Sequence, residues 1–299
     1  VCLPAWWSKR PNLTNRMPRV FVRNQSGETA VPGISVARRV MKQTTVAALF
    51  AMLALPLAAC GGTPAPACDA PLDVIRLANP LSRLTQKLAA GEPITIVAIG
   101  SSSTAGAGAS SPGANYPSRL QAELRQRFPG HPITVFNRGV NGEEIADMLR
   151  RFDTAVVAAK PDLVLWQLGT NSVLRDHRLA DHGASIRQGL SKIRATGADV
   201  VLIDPQYAPK VIAKPEAGPM VELLATTAKQ EDVDLFPRFN VMKHWYNVDH
   251  LTFSSFVSPD GLHMNDWSYG CLAKALTVAI AEAVERPVMS AAMTSSFVP

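Results

Sequence analysis

From residue 80 to residue 286, short apolar runs alternate with longer amphipathic stretches. The first run, Ile94-Thr95-Ile96-Val97-Ala98-Ile99, is rich in β-branched residues and stops at Gly100, as a fully buried parallel strand does. Ile133 to Phe136, Leu163 to Trp166, Val200 to Ile203 and Val233 to Phe236 predict four more strands. Between them the spacing predicts helices. One spans Leu81 to Ala90 and is stopped by Gly91 and Pro93. The next has Pro117 in its first turn and Tyr116, Leu120, Leu124 and Phe128 on one face. A third buries Ile145, Met148, Leu149, Phe152 and Val156. Others run from about Ala184 to Ala195, Met220 to Gln230 and Ser268 to Val284. Trp245 to Phe256 reads as irregular and aromatic. Strands alternating with helices imply an α/β fold, with a parallel sheet covered on both faces.

The chain before residue 80 follows neither period. Met41-Lys42 opens an apolar run from Val46 to Leu55 that ends in Leu57-Ala58-Ala59-Cys60. A positive start, a short apolar stretch and small residues at its end make a secretory signal over 41–60. The run is shorter than the roughly 20 residues a spanning helix needs. Its last four residues resemble the lipobox of bacterial lipoproteins, which implies lipidation of Cys60 and a membrane anchor facing the periplasm. Residues 1–40 read as an upstream artefact ahead of a start at Met41, or as disordered chain. Residues 61–79 read as a flexible tether and 287–299 as a frayed tail.

Charge alters the picture only by its distribution. The formal net charge is +6, but eight of the 30 Lys and Arg lie in residues 1–60 beside one acid, Glu28. That leaves 22 bases against 23 acids beyond residue 60. No basic patch remains to argue for nucleic acid.

Four short segments carry candidate chemistry: Gly100-Ser101-Ser102, the loop ending in Gly142, Gly169-Thr170-Asn171, and Asp260-Gly261-Leu262-His263. Three follow predicted strands and the fourth precedes the last helix, so all can meet at one sheet edge, where open α/β sheets bind ligands. A serine hydroxyl is a poor nucleophile until a base takes its proton, and His263 is the candidate base. Asp260 would accept the other ring N–H and fix the tautomer. Attack on an ester leaves an oxyanion that needs preorganised donors. The amides of Ser102 and Gly142 and the side chain of Asn171 would supply three.

With these segments the chain resembles the SGNH hydrolase family, also called GDSL esterases, over about Pro93 to Ala283. The family's four blocks supply a serine, a glycine, an asparagine and a D-x-x-H pair, matched here by Ser102, Gly142, Asn171 and Asp260/His263. The resemblance implies a flavodoxin-like three-layer α/β/α sandwich over 80–286, with five parallel strands in the order 2-1-3-4-5. It also implies hydrolysis of esters or thioesters without metal or other cofactor. Ser101 stands where the family usually has Asp, and Ser172 where Asp commonly follows the asparagine.

The expected activity is that of an envelope-anchored serine esterase acting on O-acyl groups of cell-envelope or exported polysaccharide. A lipase, lysophospholipase or thioesterase on the same scaffold is the alternative, and a non-catalytic glycan-binding lipoprotein a further one. His177 and His182 with Asp176 and Asp181 show no metal-ligand spacing and read as a solvated loop and helix start. His131 reads as a turn. His244 and His250 flank an aromatic stretch that either shapes a substrate pocket or packs into the core. Cys2 would be lost with the leader and Cys60 taken by lipid. Cys68 and Cys271 then remain, and an oxidising compartment favours a bridge between them. Otherwise Cys271 is a small buried apolar residue.

Overall fold

In a computed structural model, the structure describes residues 67–286 except Asp69. The leader, the signal segment, Cys60 and the tail lie outside the described residues. Five parallel strands, β1 (Ile94–Gly100), β2 (Ile133–Gly139), β3 (Leu163–Gln167), β4 (Asp199–Ile203) and β5 (Asp234–Phe236), form one sheet in the order β2-β1-β3-β4-β5. Every residue of β3 is buried, and in β1 all but Thr95, as expected for strands covered on both faces. Helices α1 (Ser82–Ala89), α2 (Tyr116–Arg127) and α7 (Asp266–Glu285) cover one face; α3 (Ile145–Arg150), α4 (His182–Arg194) and α5 (Ala217–Gln230) cover the other. Helix α6 (Arg238–Asn247) follows β5.

Local chemistry explains the helix ends nearest the site. Asn115 caps α2 by accepting the Ser118 amide at 2.9 Å, and Pro117 sits in the first turn, where a missing N–H costs nothing. Asn265 and Ser268 form a reciprocal capping box at the start of α7. That box fixes the chain direction two residues after His263.

Several expectations need correction. β2 continues past Phe136 through Asn137, Arg138 and Gly139, which pair with Ala98, Ile99 and Gly100. As an edge strand, β2 tolerates the polar residues that made this stretch read as loop. The single helix expected from Ile145 to Val156 breaks at Arg151, whose guanidinium turns to the Glu143 carboxylate and the Arg138 carbonyl. Trp245 is not irregular but lies in α6, whose inner positions are Arg238, Val241, Met242 and Trp245. Its outer aromatics belong to a second cluster, which blurs the apolar period.

The tether expected over 61–79 is too long. Leu72–Ile75 forms a helical turn, and Ile75 and Leu77 are each 1 % exposed. Arg286 donates to the carbonyls of Leu77 and Ala78, and the Asn79 amide donates to Asp234. Cys68 is joined to Cys271 in α7 by a disulfide with Cα atoms 5.1 Å apart, within the span such bridges require. The bridge therefore fastens the start of the domain to a helix of its core.

Candidate active site

The register of the sheet brings the loops together. Gly100 ends β1 opposite Gly139 of β2, and Ile99 pairs with Trp166 of β3. The single helical turn Ser102–Ala105 then lies directly on the strand ends. A Cβ at Gly139 would come within 2.1 Å of the Ala105 nitrogen, and one at Gly100 within 2.2 Å of Thr104 Oγ1. Only glycine at both positions lets that turn approach so closely.

Ser102 Oγ is 2.8 Å from His263 Nε2, and His263 Nδ1 is 2.5 Å from Asp260 Oδ2. The second carboxylate oxygen of Asp260 accepts from the Ser258 hydroxyl and the amides of Leu262 and His263. Burial alone would raise the Asp260 carboxyl. The hydrogen bonds, led by the one from the His263 ring, outweigh it and hold the group well below the usual carboxylate range. The loop is braced by a bond from the Ser258 amide to the His263 carbonyl and by the Val257–Met264 bridge. Gly108 (φ +87°) passes against it, where a Cβ would meet the Met264 carbonyl at 2.3 Å.

Gly142 lies in the turn after β2 with φ +78°, a conformation that favours glycine. Arg175 donates to its carbonyl at 2.9 Å and also pairs with Glu144. Asn171 follows Gly169 in the turn Thr170–Leu174, and its Nδ2 donates to the Glu143 carbonyl at 2.8 Å. One N–H of that amide is thereby fixed and the other remains. Among the described residues neither the Ser102 nor the Gly142 amide donates within the chain. Such an arrangement can pass a proton from the Ser102 hydroxyl to His263.

Sequence reasoning missed three groups that hold these loops. Gln167 at the end of β3 is 1 % exposed, and its Oε1 accepts from the Ser101 amide, the Ser101 hydroxyl and Thr104 Oγ1. Its signal was a polar residue closing an apolar strand. Glu144 accepts from Ser172, Arg175 and His177, so the serine that replaces the family's Asp is tied into the same anchor. Burial opposes the ionised form of Glu144, but these partners prevail and hold its carboxyl below the ordinary range.

The third group is Gln206. Its Oε1 accepts from Thr170 and from Arg238, while its Nε2 donates to the Leu262 carbonyl, so it links the Asn171 loop to the His263 loop. Arg238 is itself fully buried and donates to the Asp204 carbonyl.

Three of the other histidines take local roles. His177 bonds Glu144, His182 is buried at the start of α4, and His131 Nε2 contacts the Leu88 carbonyl. No group of three or more His, Cys, Asp or Glu among the described residues is placed to hold a metal ion.

Fold and loop geometry together define an SGNH-type hydrolase, a carboxylic ester hydrolase. The chain belongs to the non-GDSL lipase-like family, whose model matches residues 67–286. Ser101, standing where the GDSL pattern has Asp, agrees with that description. A stretch of 160 residues is 31 % identical to Esterase TesA of Pseudomonas aeruginosa, over 52 % of this chain and 74 % of that protein. An acetylxylan esterase of Geobacillus stearothermophilus is 25 % identical over 151 residues, 45 % of this chain and 69 % of that one. Among solved structures, a two-domain esterase active on acetylated mannans superposes with a TM-score of 0.61 at 18 % identity. It matches 75 % of this chain and 59 % of its own, a likeness that speaks for the fold.

Proposed function

We propose that this chain removes short O-acyl groups, acetyl foremost, from cell-envelope or exported polysaccharide. The observation that carries the reading is the contact between Ser102 Oγ and His263 Nε2. His263 takes the hydroxyl proton as Ser102 attacks the ester carbonyl carbon. Asp260 holds the ring with Nδ1 protonated and stabilises the imidazolium that forms. The Ser102 and Gly142 amides and Asn171 Nδ2 receive the oxyanion. The tetrahedral intermediate then expels the sugar hydroxyl, which takes its proton from His263, and leaves an acyl group on Ser102. Water activated by the same imidazole releases the acid and restores the serine.

The substrate class is supported by the names of two similar proteins, the acetylxylan esterase and the esterase active on acetylated mannans. The place of action rests on the sequence, in which the lipobox at Cys60 would tether the enzyme in the envelope, facing the periplasm. The Cys68–Cys271 bridge is compatible with an oxidising compartment.

The test compares acetate release from acetylated xylan and mannan with hydrolysis of p-nitrophenyl octanoate and palmitate. Acetate release with little action on the long esters is expected. Preference for palmitate would favour a lipase, and preference for acyl thioesters a thioesterase. Turnover of no substrate would leave the glycan-binding alternative.

A further inference from the structure

Three aromatic rings lie together on the surface between α6 and the His263 loop. Tyr246 and Phe253 stack at 4.5 Å with planes 22° apart, and Tyr207 stacks on Phe253 at 5.8 Å and 27°. Phe239 meets Tyr207 edge-on from behind at 5.1 Å. Tyr246 is 39 % exposed, and Tyr207 and Phe253 are only half-buried. Tyr207 and Phe253 pack against the core on one side, and what they leave uncovered joins Tyr246 as an apolar surface open to water.

Two cavities flank the stack and share Phe253. One, of about 510 Å³, is bounded by Tyr246, Asn247, His250, Leu251, Thr252 and Phe253. The other, of about 390 Å³, runs from Phe253 past Ser254 and Val257 to Ser258 and Gly261. Ser258 donates to Asp260, and Gly261 lies between Asp260 and His263, so this cavity has the acid–base loop as its wall.

The two linings contain no Lys, Arg, Asp or Glu. They combine ring and aliphatic surface with the hydroxyls of Ser254, Ser258 and Thr252 and the amides of Asn247 and Asn265. A ligand matching that surface is uncharged, carries C–H surface for stacking and bears hydroxyls at its edge. A neutral sugar ring has this character. An acyl chain would make no use of the exposed polar atoms of Asn247, Thr252 and Ser254, and an anionic sugar would meet no Lys or Arg in either lining.

We propose that Tyr246 and Phe253, with Tyr207 packed against Phe253, form a subsite for a neutral sugar unit of the polymer, flanking the residue that carries the ester. The inference rests on the esterase reading for its biology but not for its test.

Binding is read calorimetrically in the Ser102→Ala protein with two unacetylated probes, xylopentaose and mannopentaose. At least one should bind, and Tyr246→Ala in that background should weaken it about tenfold, while Tyr246→Phe, which keeps the ring, binds as its parent does. In the active enzyme, Tyr246→Ala and Phe253→Ala should lower the ratio of kcat/KM on acetylated oligosaccharide to that on p-nitrophenyl acetate. A ratio also controls for loss of folded protein.

Failure of both probes to bind, equal binding by Tyr246→Ala, or an unchanged ratio would overturn the subsite. So would a selective loss on p-nitrophenyl octanoate, which would make the strip an acyl groove. If the active enzyme turned over no ester at all, the esterase reading would fail while the binding data still judged the subsite.

Discussion

The side-chain oxygen of Gln167 accepts twice from Ser101, 2.9 Å from its amide and 3.0 Å from its hydroxyl. A residue of β3 thus fixes the backbone immediately before Ser102. Gln167→Leu would leave the Ser101 amide, the Ser101 hydroxyl and Thr104 Oγ1 without this buried acceptor. The cost should be about 2–4 kcal/mol, read as a lower Tm. A displaced Ser102 should also lower kcat on p-nitrophenyl acetate by about tenfold or more. Gln167→Glu, which keeps an acceptor oxygen, should retain more activity than Gln167→Leu. Equal loss in both variants would show that this contact does not position Ser102.

Asn171→Ala removes one proposed oxyanion donor and leaves only the Glu143 carbonyl in need of a new partner. The expected result is a fall in kcat on the order of 10²-fold or more, with KM and Tm little changed. A variant with full kcat would remove Asn171 from the mechanism.

The strands and most helices were legible because each rests on a local pattern, whereas the sheet order followed only from the family resemblance carried by the four chemical segments together. A β-branched run stopped by glycine identifies β1, and D-x-x-H stands just ahead of a long apolar helix. What stayed hidden depends on contacts distant in sequence. Gln167, Glu144 and Gln206 are single polar residues whose meaning appears only when β3, the Asn171 loop and the His263 loop meet. Helix α6 was obscured because Phe239 and Tyr246 on its outer side are as apolar as Val241 and Trp245 within. The domain start was misplaced because Ile75 and Leu77 lie in a stretch too short to show a period.

Asp204 gives the fold a pH signature. Its carboxyl is fully buried, accepts the Phe239 amide at 2.8 Å through one oxygen, and is pushed up to about 7 by burial, against the pull of that amide and of Arg238. The folded value lies above the unfolded one of about 3.9, so the native state binds this proton more tightly. Its contribution to stability is therefore fully present below about pH 4 and declines as pH rises to about 7, then levels.

Asp204→Asn abolishes that titration. The Tm of the variant minus that of the wild type should rise from pH 4 to pH 7 and be flat above. The slope carries the test, because the variant also removes a charge beside Arg238. Parallel curves across this range would contradict the assignment.

The Cys68–Cys271 bridge closes a separation of 203 residues. The chain-entropy model sets an upper figure of about 5 kcal/mol for such a loop, and measured bridges typically contribute about 2–4 kcal/mol. Cys68→Ser/Cys271→Ser should therefore melt on the order of 10 °C lower than the oxidised wild type. Reductant should lower the wild type to the same extent and leave the double variant unmoved. Two free thiols in protein prepared under oxidising conditions would contradict the bridge.

The decisive step of the proposed reaction is the attack of Ser102, activated by His263, on the ester. Its most direct measurement is covalent labelling by a fluorophosphonate, followed by peptide mass spectrometry, on the wild type, Ser102→Ala, Ser103→Ala and His263→Ala. The expected result is one label on Ser102 in the wild type and in Ser103→Ala, none in Ser102→Ala, and labelling slowed by orders of magnitude in His263→Ala. Undiminished labelling of Ser102→Ala, or a label found on Ser101 or Ser103, would contradict it.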